Sequence, residues 1–193
     1  MVEIVEPIDL FLLLKTGQSG PMELGVMNRD AVRALVEPED IRADNHFRHA
    51  DPASPWCIYG INCEFFFSPD FRLRHIKLLP GRSFFGFGGE IVRWTGKLAL
   101  DAGRHPVNFG GASPLELHAL PDALAFLHKA ELSGPVGAGL DRTITIELID
   151  EPRRLTLGYE VAVLPVEGTK HVAHEIDYFL SAVWMVDESL PGE

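Results

Sequence analysis

The sequence predicts an α+β fold, a mostly antiparallel sheet with a few short helices. Three observations carry that expectation. The elements run helix, helix, strands, helix, strands, which separates the helices from blocks of neighbouring strands. Two late segments, Thr143 to Ile149 and Arg154 to Leu164, alternate apolar and polar residues with the period of a half-buried strand. Leu24 to Leu79 reads as a short capped helix followed by a two-stranded ribbon.

The chain has 193 residues, of which 46% are hydrophobic. That supports one α+β domain with a real core, with halves at 1–105 and 106–193. A helix-then-ribbon unit recurs around 28–80 and 121–186, although no motif is shared residue by residue. No Pro/Ser-rich linker separates the halves, so they are expected to pack together.

The first apolar run is Leu10 to Leu14. Pro7 before it and Gly17 after it bracket a helix of about ten residues. Glu3, Glu6 and Asp9 precede it, not Lys or Arg, and no small-residue cleavage site follows, so it does not read as a signal peptide. It is also too short to span a bilayer, and no other segment approaches that length. Thr16 to Gly25 reads as a loop.

Asn28 is placed to N-cap a second helix from Arg29 to about Glu37. Ala31, Val32, Leu35 and Val36 form its apolar stripe, and Pro38 ends it. Residues 38–55 hold three prolines and two histidines and read as a surface loop. Trp56 to Phe67 is aromatic and β-branched, hence strand. Ser68-Pro69-Asp70 is a turn, because proline presets the backbone angle a turn needs. Phe71 to Leu79 returns, but its alternation slips, and a bulge near Arg74 and His75 would restore one buried face.

Gly81 to Gly89 is a glycine- and phenylalanine-rich loop, and Ile91 to Leu100 a strand. Ser113-Pro114-Leu115-Glu116 is a capping box with proline at the first helical position. Pro121 interrupts, and a further helix runs from Asp122 to about Leu132, stopped by Gly134-Pro135. Ile144, Ile146 and Leu148 share one side of the next strand. Leu155, Leu157, Tyr159, Val161 and Val163 share one side of the strand after it. Ile176 to Val186 is apolar on both parities, as a central strand covered on both faces would be.

Charge narrows the partners. Acidic residues number 28 against 17 basic, a formal net charge of −11. Nucleic-acid binding needs clustered Lys and Arg and is not expected. A basic protein partner, steered by the acidic field, is compatible. Ordinary solubility is the simpler source of the same excess. Cys57 and Cys63 lie six positions apart and share a face if one strand runs through both, although Gly60 and Asn62 can bend the chain between them. Buried free thiols are expected ahead of a disulfide or metal pair, and the composition fits the reducing cytoplasm.

Leu24 to Leu79 also resembles a family of uncharacterised small bacterial proteins with the pattern LG-x-S-R-D-x-V-x-x-L-L-G-x-P, an aromatic residue and YG-x-x-E-F-x-F, and a strand L-x-x-I. The matching residues are Leu24, Gly25, Arg29, Asp30, Val32, Leu35, Pro38, Trp56, Tyr59, Gly60, Glu64, Phe65, Phe67, Leu73 and Ile76. Asn28 replaces the family's serine, and Glu37 stands where the family has glycine. Members are similar to immunity proteins of bacterial toxin systems. The pattern is also similar to small modules related to outer-membrane assembly lipoproteins, but no lipobox cysteine lies near the start. The resemblance implies no catalytic residues. The matching positions have folding roles: Asn28 caps, Val32 and Leu35 pack, Gly60 permits a tight backbone, and Tyr59, Phe65 and Phe67 fill a core.

Other chemistry is weaker. His171-x-x-His174-Glu175 is the best metal-like cluster, but on a strand that spacing puts the two histidines on opposite faces. His46 and His49, with Asp44 and Asp51, sit in a polar loop where scattered surface histidines are the commoner arrangement. The loop at 81–89 lacks the Gly-Lys-Ser/Thr ending of a phosphate loop, and a strand follows it where a helix is needed. There is no Gly-x-Ser-x-Gly elbow, and Glu39-Asp40 and Asp150-Glu151 flank turns and loops.

These readings converge on a non-enzymatic cytoplasmic protein-binding module, immunity-like, that neutralises a bacterial toxin with an acidic, aromatic-bearing surface; no cofactor is expected. The candidate contacts are Glu37, Glu39, Asp40 and Asp44 after the second helix, with Phe84, Phe85 and Phe87 in the glycine loop. The alternative is a small-molecule-binding or metal-dependent hydrolytic protein with a pocket between the halves. A third reading is a structural module that forms a homo-oligomer.

Overall fold

The computed structural model describes residues 5–36, 43–44, 57–60, 62–80, 100–139, 143–165 and 174–191. In chain order they form β1 (Ile8–Asp9), α1 (Leu10–Thr16), β2 (Gln18–Ser19), β3 (Met22–Glu23), α2 (Arg29–Arg33), β4 (Ala43–Asp44), β5 (Cys57–Tyr59), β6 (Cys63–Phe67) and β7 (Leu73–Leu78). There follow β8 (Asp101–Ala102), β9 (His105–Asn108), a 3-10 turn (Pro114–Leu117), α3 (Leu120–Lys129), β10 (Val136–Ala138), β11 (Ile144–Asp150), β12 (Arg153–Pro165) and β13 (His174–Asp187). The fold is α+β.

An eight-stranded sheet in the order β10-β11-β12-β13-β7-β6-β5-β4 dominates, antiparallel throughout. β13 pairs with β7, so one sheet runs through both halves of the chain. A small sheet, β1-β9-β8, contains a parallel pair, β1 with β9. β2 and β3 form a separate hairpin.

Register explains the core. Directly opposed residues share a face, so a buried row can be followed across the sheet. Ile58, Phe65, Ile76, Met185, Leu155 and Leu148 oppose one another in turn, and each is at most 2% exposed. A second row runs Cys63, Leu78, Val183, Leu157 and Ile146, all buried. Onto this face α1 sends Leu10, Phe11, Leu13 and Leu14, and α3 sends Ala123 and Leu127. At about 1.5–3 kcal/mol for each large apolar side chain, this layer is the main stabilising term.

Helix α1 is shorter than the flanking Pro7 and Gly17 suggest. Ile8 and Asp9 pair with Val107 and Asn108, which holds them extended until Asp9 N-caps the helix. Asp9 Oδ1 accepts from Phe11 N at 2.9 Å and from Gly110 N at 2.8 Å, so one carboxylate caps the helix and pins a distant loop. Gly17, at φ 78°, closes the helix in the left-handed conformation that glycine takes without strain. The Arg153 guanidinium donates to the terminal carbonyls of Leu14 and Lys15 at 2.6 and 2.5 Å. The expected loop at 16–25 holds the β2–β3 hairpin.

The second helix is capped as expected: Asn28 Oδ1 accepts from Ala31 N at 2.9 Å. Its apolar stripe is narrower, with Val32, Leu35 and Val36 buried but Ala31 exposed. The segment read as one strand, 56–67, is two. Gly60 N bonds Cys63 O at 2.7 Å and folds it into a hairpin, so the ribbon has three strands. The turn at Ser68 and the bulge are both present: Phe66 opposes His75 and Phe67 opposes Leu73, which leaves Arg74 as the extra residue.

Two helix starts differ. Ser113 makes no side-chain cap, and the box forms only the 3-10 turn. Pro121 does not interrupt a helix; it lies in the first turn of α3, where its missing N–H is not needed. The Gly81–Gly89 loop and all but the last residue of the 91–100 strand lie outside the described residues.

Candidate functional site

The second face of the large sheet has a different character. One row across it reads Tyr59, Glu64, Lys77, Trp184, Thr156 and Glu147. The next reads Cys57, Phe66, His75, Val186, Arg154 and Ile149. Apart from Cys57, these residues are not fully buried, and Ile149 is 55% exposed. None of them belongs to the core that the helices complete. Antiparallel sheets often leave one face to water, but that face is then mostly polar. Here aromatic and branched apolar groups are interleaved with charge.

The aromatic groups are ordered by one another. Phe66 stacks on His75 with centroids 5.0 Å apart, and Tyr59 meets Phe66 edge-on at 5.9 Å. Burial lowers the His75 pKa to about 4, and the Arg74 and Lys77 cations push the same way, so the ring is neutral at pH 7. Burial also pushes the Tyr59 hydroxyl up to about 12, with the Cys57 thiol adding to the shift. The Tyr59 hydroxyl and the His75 ring are therefore both neutral at pH 7.

Trp184 lies on the other side of Lys77. Its benzo ring covers Gly158: a Cβ at that glycine would stand 2.5 Å from Cζ3 and 2.7 Å from Cη2. Lys77 Nζ is held by Glu64 at 3.2 Å, and Arg154 is shared between Glu147, at 3.6 Å, and Glu188. Glu160, two residues beyond Gly158 on β12, is exposed and makes no ion pair among the described residues.

Of the contacts expected from sequence, Glu37, Glu39, Asp40, Phe84, Phe85 and Phe87 lie outside the described residues. Asp44 lies on β4, the edge strand, opposite Ile58. His46, His49 and His171 are also outside, and His174 pairs with Pro165 at the start of β13. Among the described residues, no group of three or more His, Cys, Asp and Glu is placed to hold a metal. Cys57 and Cys63 are buried and not disulfide-bonded. They do not share a face, because the Gly60 turn puts them on separate strands: Cys63 joins a core row and Cys57 the opposite one.

Tyr59 was expected in the core with Phe65 and Phe67, but its register places it on the second face. Trp184 and Val186 were expected on a strand covered on both faces. β13 is central, yet no described helix covers its second face. The sequence carried little signal for this, because 57–67 and 176–186 hold apolar residues on both parities and parity does not say which side the helices take.

No protein-family model, curated protein or solved structure matches the chain. No helix among the described residues is long and apolar enough to cross a membrane.

Proposed function

We propose that this chain is a non-enzymatic, cytoplasmic protein-binding module of the immunity type, which neutralises a bacterial toxin by covering a basic site on it. The observation that carries the reading is the second face of the eight-stranded sheet, where Tyr59, Phe66 and Trp184 stand partly exposed in a field of matched charges. Protein interfaces are enriched in tyrosine, tryptophan and phenylalanine, and a few such anchors supply most of the affinity. The net charge of −11 suits a basic partner and speeds its encounter. Glu37, Glu39, Asp40, Asp44, Phe84, Phe85 and Phe87 stay candidate contacts on the sequence alone.

The test begins with the reading frames beside the gene. A neighbouring toxin-like chain is co-expressed with this protein, and growth and complex formation are measured. The reading expects rescue of growth and a stable complex. A neighbourhood of metabolic enzymes, or a toxin that kills equally with and without this protein, contradicts it.

A further inference from the structure

We infer that β10, the open edge of the large sheet, is where a second copy of this chain docks, strand against strand about a two-fold axis at Gly137. The inference is independent of the toxin-binding reading, because it uses the edge of the sheet and not its second face.

Hydrogen-bond phase sets which backbone groups face outward. β10 ends the eight-stranded sheet, and among the described residues it pairs only with β11. Glu147 N donates to Pro135 O at 3.1 Å, and Gly139 N donates to Thr143 O at 2.8 Å. Bonded and non-bonded residues alternate along an antiparallel pair, so Gly137 also turns its N–H and C=O toward β11. Val136 and Ala138 therefore turn theirs away from it, and residues 135–139 are all exposed. Pro135 does not blunt this edge, because its ring nitrogen lies on the β11 side.

The outward groups match a copy of themselves. Turned about a two-fold axis at Gly137, Val136 meets the partner subunit's Ala138, and Ala138 meets the partner subunit's Val136. Each pair exchanges two backbone bonds, which uses every outward N–H and C=O of the two residues. Gly137 then faces its own copy in the close, non-bonded position, about 4.5 Å between Cα atoms, with no side chain to clash. Pro135 faces the partner subunit's Gly139, bulk against bare backbone. Val136, 55% exposed, ends the buried row through Ile146, Leu157 and Val183, and the partner subunit's Ala138 continues it. Charge permits the contact. Residues 133–139 carry none in a chain of net charge −11, whereas the opposite edge strand, β4, carries Asp44. Charged side chains on an edge strand discourage such pairing. The dimer sets both second faces on one side of a continuous sheet, since opposed residues share a face.

The test follows the full chain by sedimentation velocity at rising concentration, beside thermal unfolding. Wild type is expected to pass from monomer to dimer. Ala138→Pro removes an outward N–H and leaves the bonds to β11 intact, as an edge strand tolerates. It should weaken the dimer at least tenfold, with a melting temperature within about 2 °C of wild type. Val136→Lys adds charge at the same edge and should weaken the dimer as well, and it supplies the answer if the proline variant does not fold. Under mild oxidation Gly137→Cys should give a disulfide-linked dimer. Val136→Cys, whose two copies stand roughly 8 Å apart, should give at least tenfold less. Cys57 and Cys63 are buried and do not compete. A wild type that stays monomeric at every concentration, an undiminished dimer in folded Ala138→Pro or Val136→Lys, or equal cross-linking from residues 136 and 137 overturns the two-fold pairing. A monomeric wild type whose complex with the neighbour-encoded toxin is lost on Ala138→Pro also overturns it, and gives the edge to a strand of that partner.

Discussion

The benzo ring of Trp184 fills the volume above Gly158, across the β12–β13 pair. This makes the effect of a side chain at residue 158 run against ordinary strand preference. Gly→Val in a strand interior normally stabilises, since valine is among the best strand formers. Here Gly158→Val must expel the indole or shift the strand, and overpacking of this kind costs about 1–3 kcal/mol. Chemical denaturation should show Gly158→Val less stable than wild type, with Trp184→Ala/Gly158→Val recovering much of the loss.

Phe71 occupies a position that favours glycine. It follows the Ser68-Pro69-Asp70 turn at φ 61°, in the left-handed region, with its ring 39% exposed. Phe71 N donates to Ser68 O, and Ser68 N to Arg72 O, which fixes the turn. A bulky L-residue there costs about 1–2 kcal/mol. Phe71→Gly should therefore raise stability by about 1 kcal/mol, or the melting temperature by about 2–4 °C. Scanning calorimetry checks the sign, and a fall in melting temperature would mean that the ring contributes more than the strain removes.

Asp9 combines two roles in one carboxylate: it caps α1 through Phe11 N and Leu12 N, and it holds Gly110 N. Asp9→Asn keeps an acceptor oxygen, whereas Asp9→Ala removes every bond. The alanine variant should lose about 1–2 kcal/mol, as lost caps do, and the asparagine variant clearly less. Urea unfolding of the pair measures the difference.

Much of the fold was legible because local rules and tertiary structure agree. Asn28, the Ser68 turn and the bulge at Arg74 each follow from residue types whose preference no distant contact opposes. The misreadings share the opposite cause. Ile8 and Asp9 are extended because β9, nearly a hundred residues away, pairs with them. Ser113 fails as a cap because the chain makes only a 3-10 turn there. The site was less legible. Cys57–Tyr59 and Trp184–Val186 are apolar at every position, so the sequence does not separate their two faces, and the side on which α1 and α3 pack is a property of the whole chain. Tyr59 therefore read as core, and Trp184 as covered.

His75 links this face to pH. Its folded pKa of about 4 lies below the usual 6.5, because burial disfavours the imidazolium. Below pH 6.5 the unfolded chain takes up a proton that the folded one refuses. Stability conferred by the neutral ring is thus complete above pH 6.5 and is lost as pH falls toward 4. The full loss is on the order of 3 kcal/mol. His75→Phe should flatten the stability profile between pH 6.5 and 4 relative to wild type. Denaturation midpoints across that range check it, and parallel slopes for the two proteins would contradict the assignment.

The central claim is that the second sheet face binds a protein. The most direct measurement is the dissociation constant of the complex with the neighbour-encoded toxin, for wild type and for Trp184→Glu, with melting temperatures recorded for both. The account predicts at least a tenfold weakening, about 1.4 kcal/mol or more, in a variant that remains folded. An unchanged dissociation constant in a folded Trp184→Glu protein would contradict it.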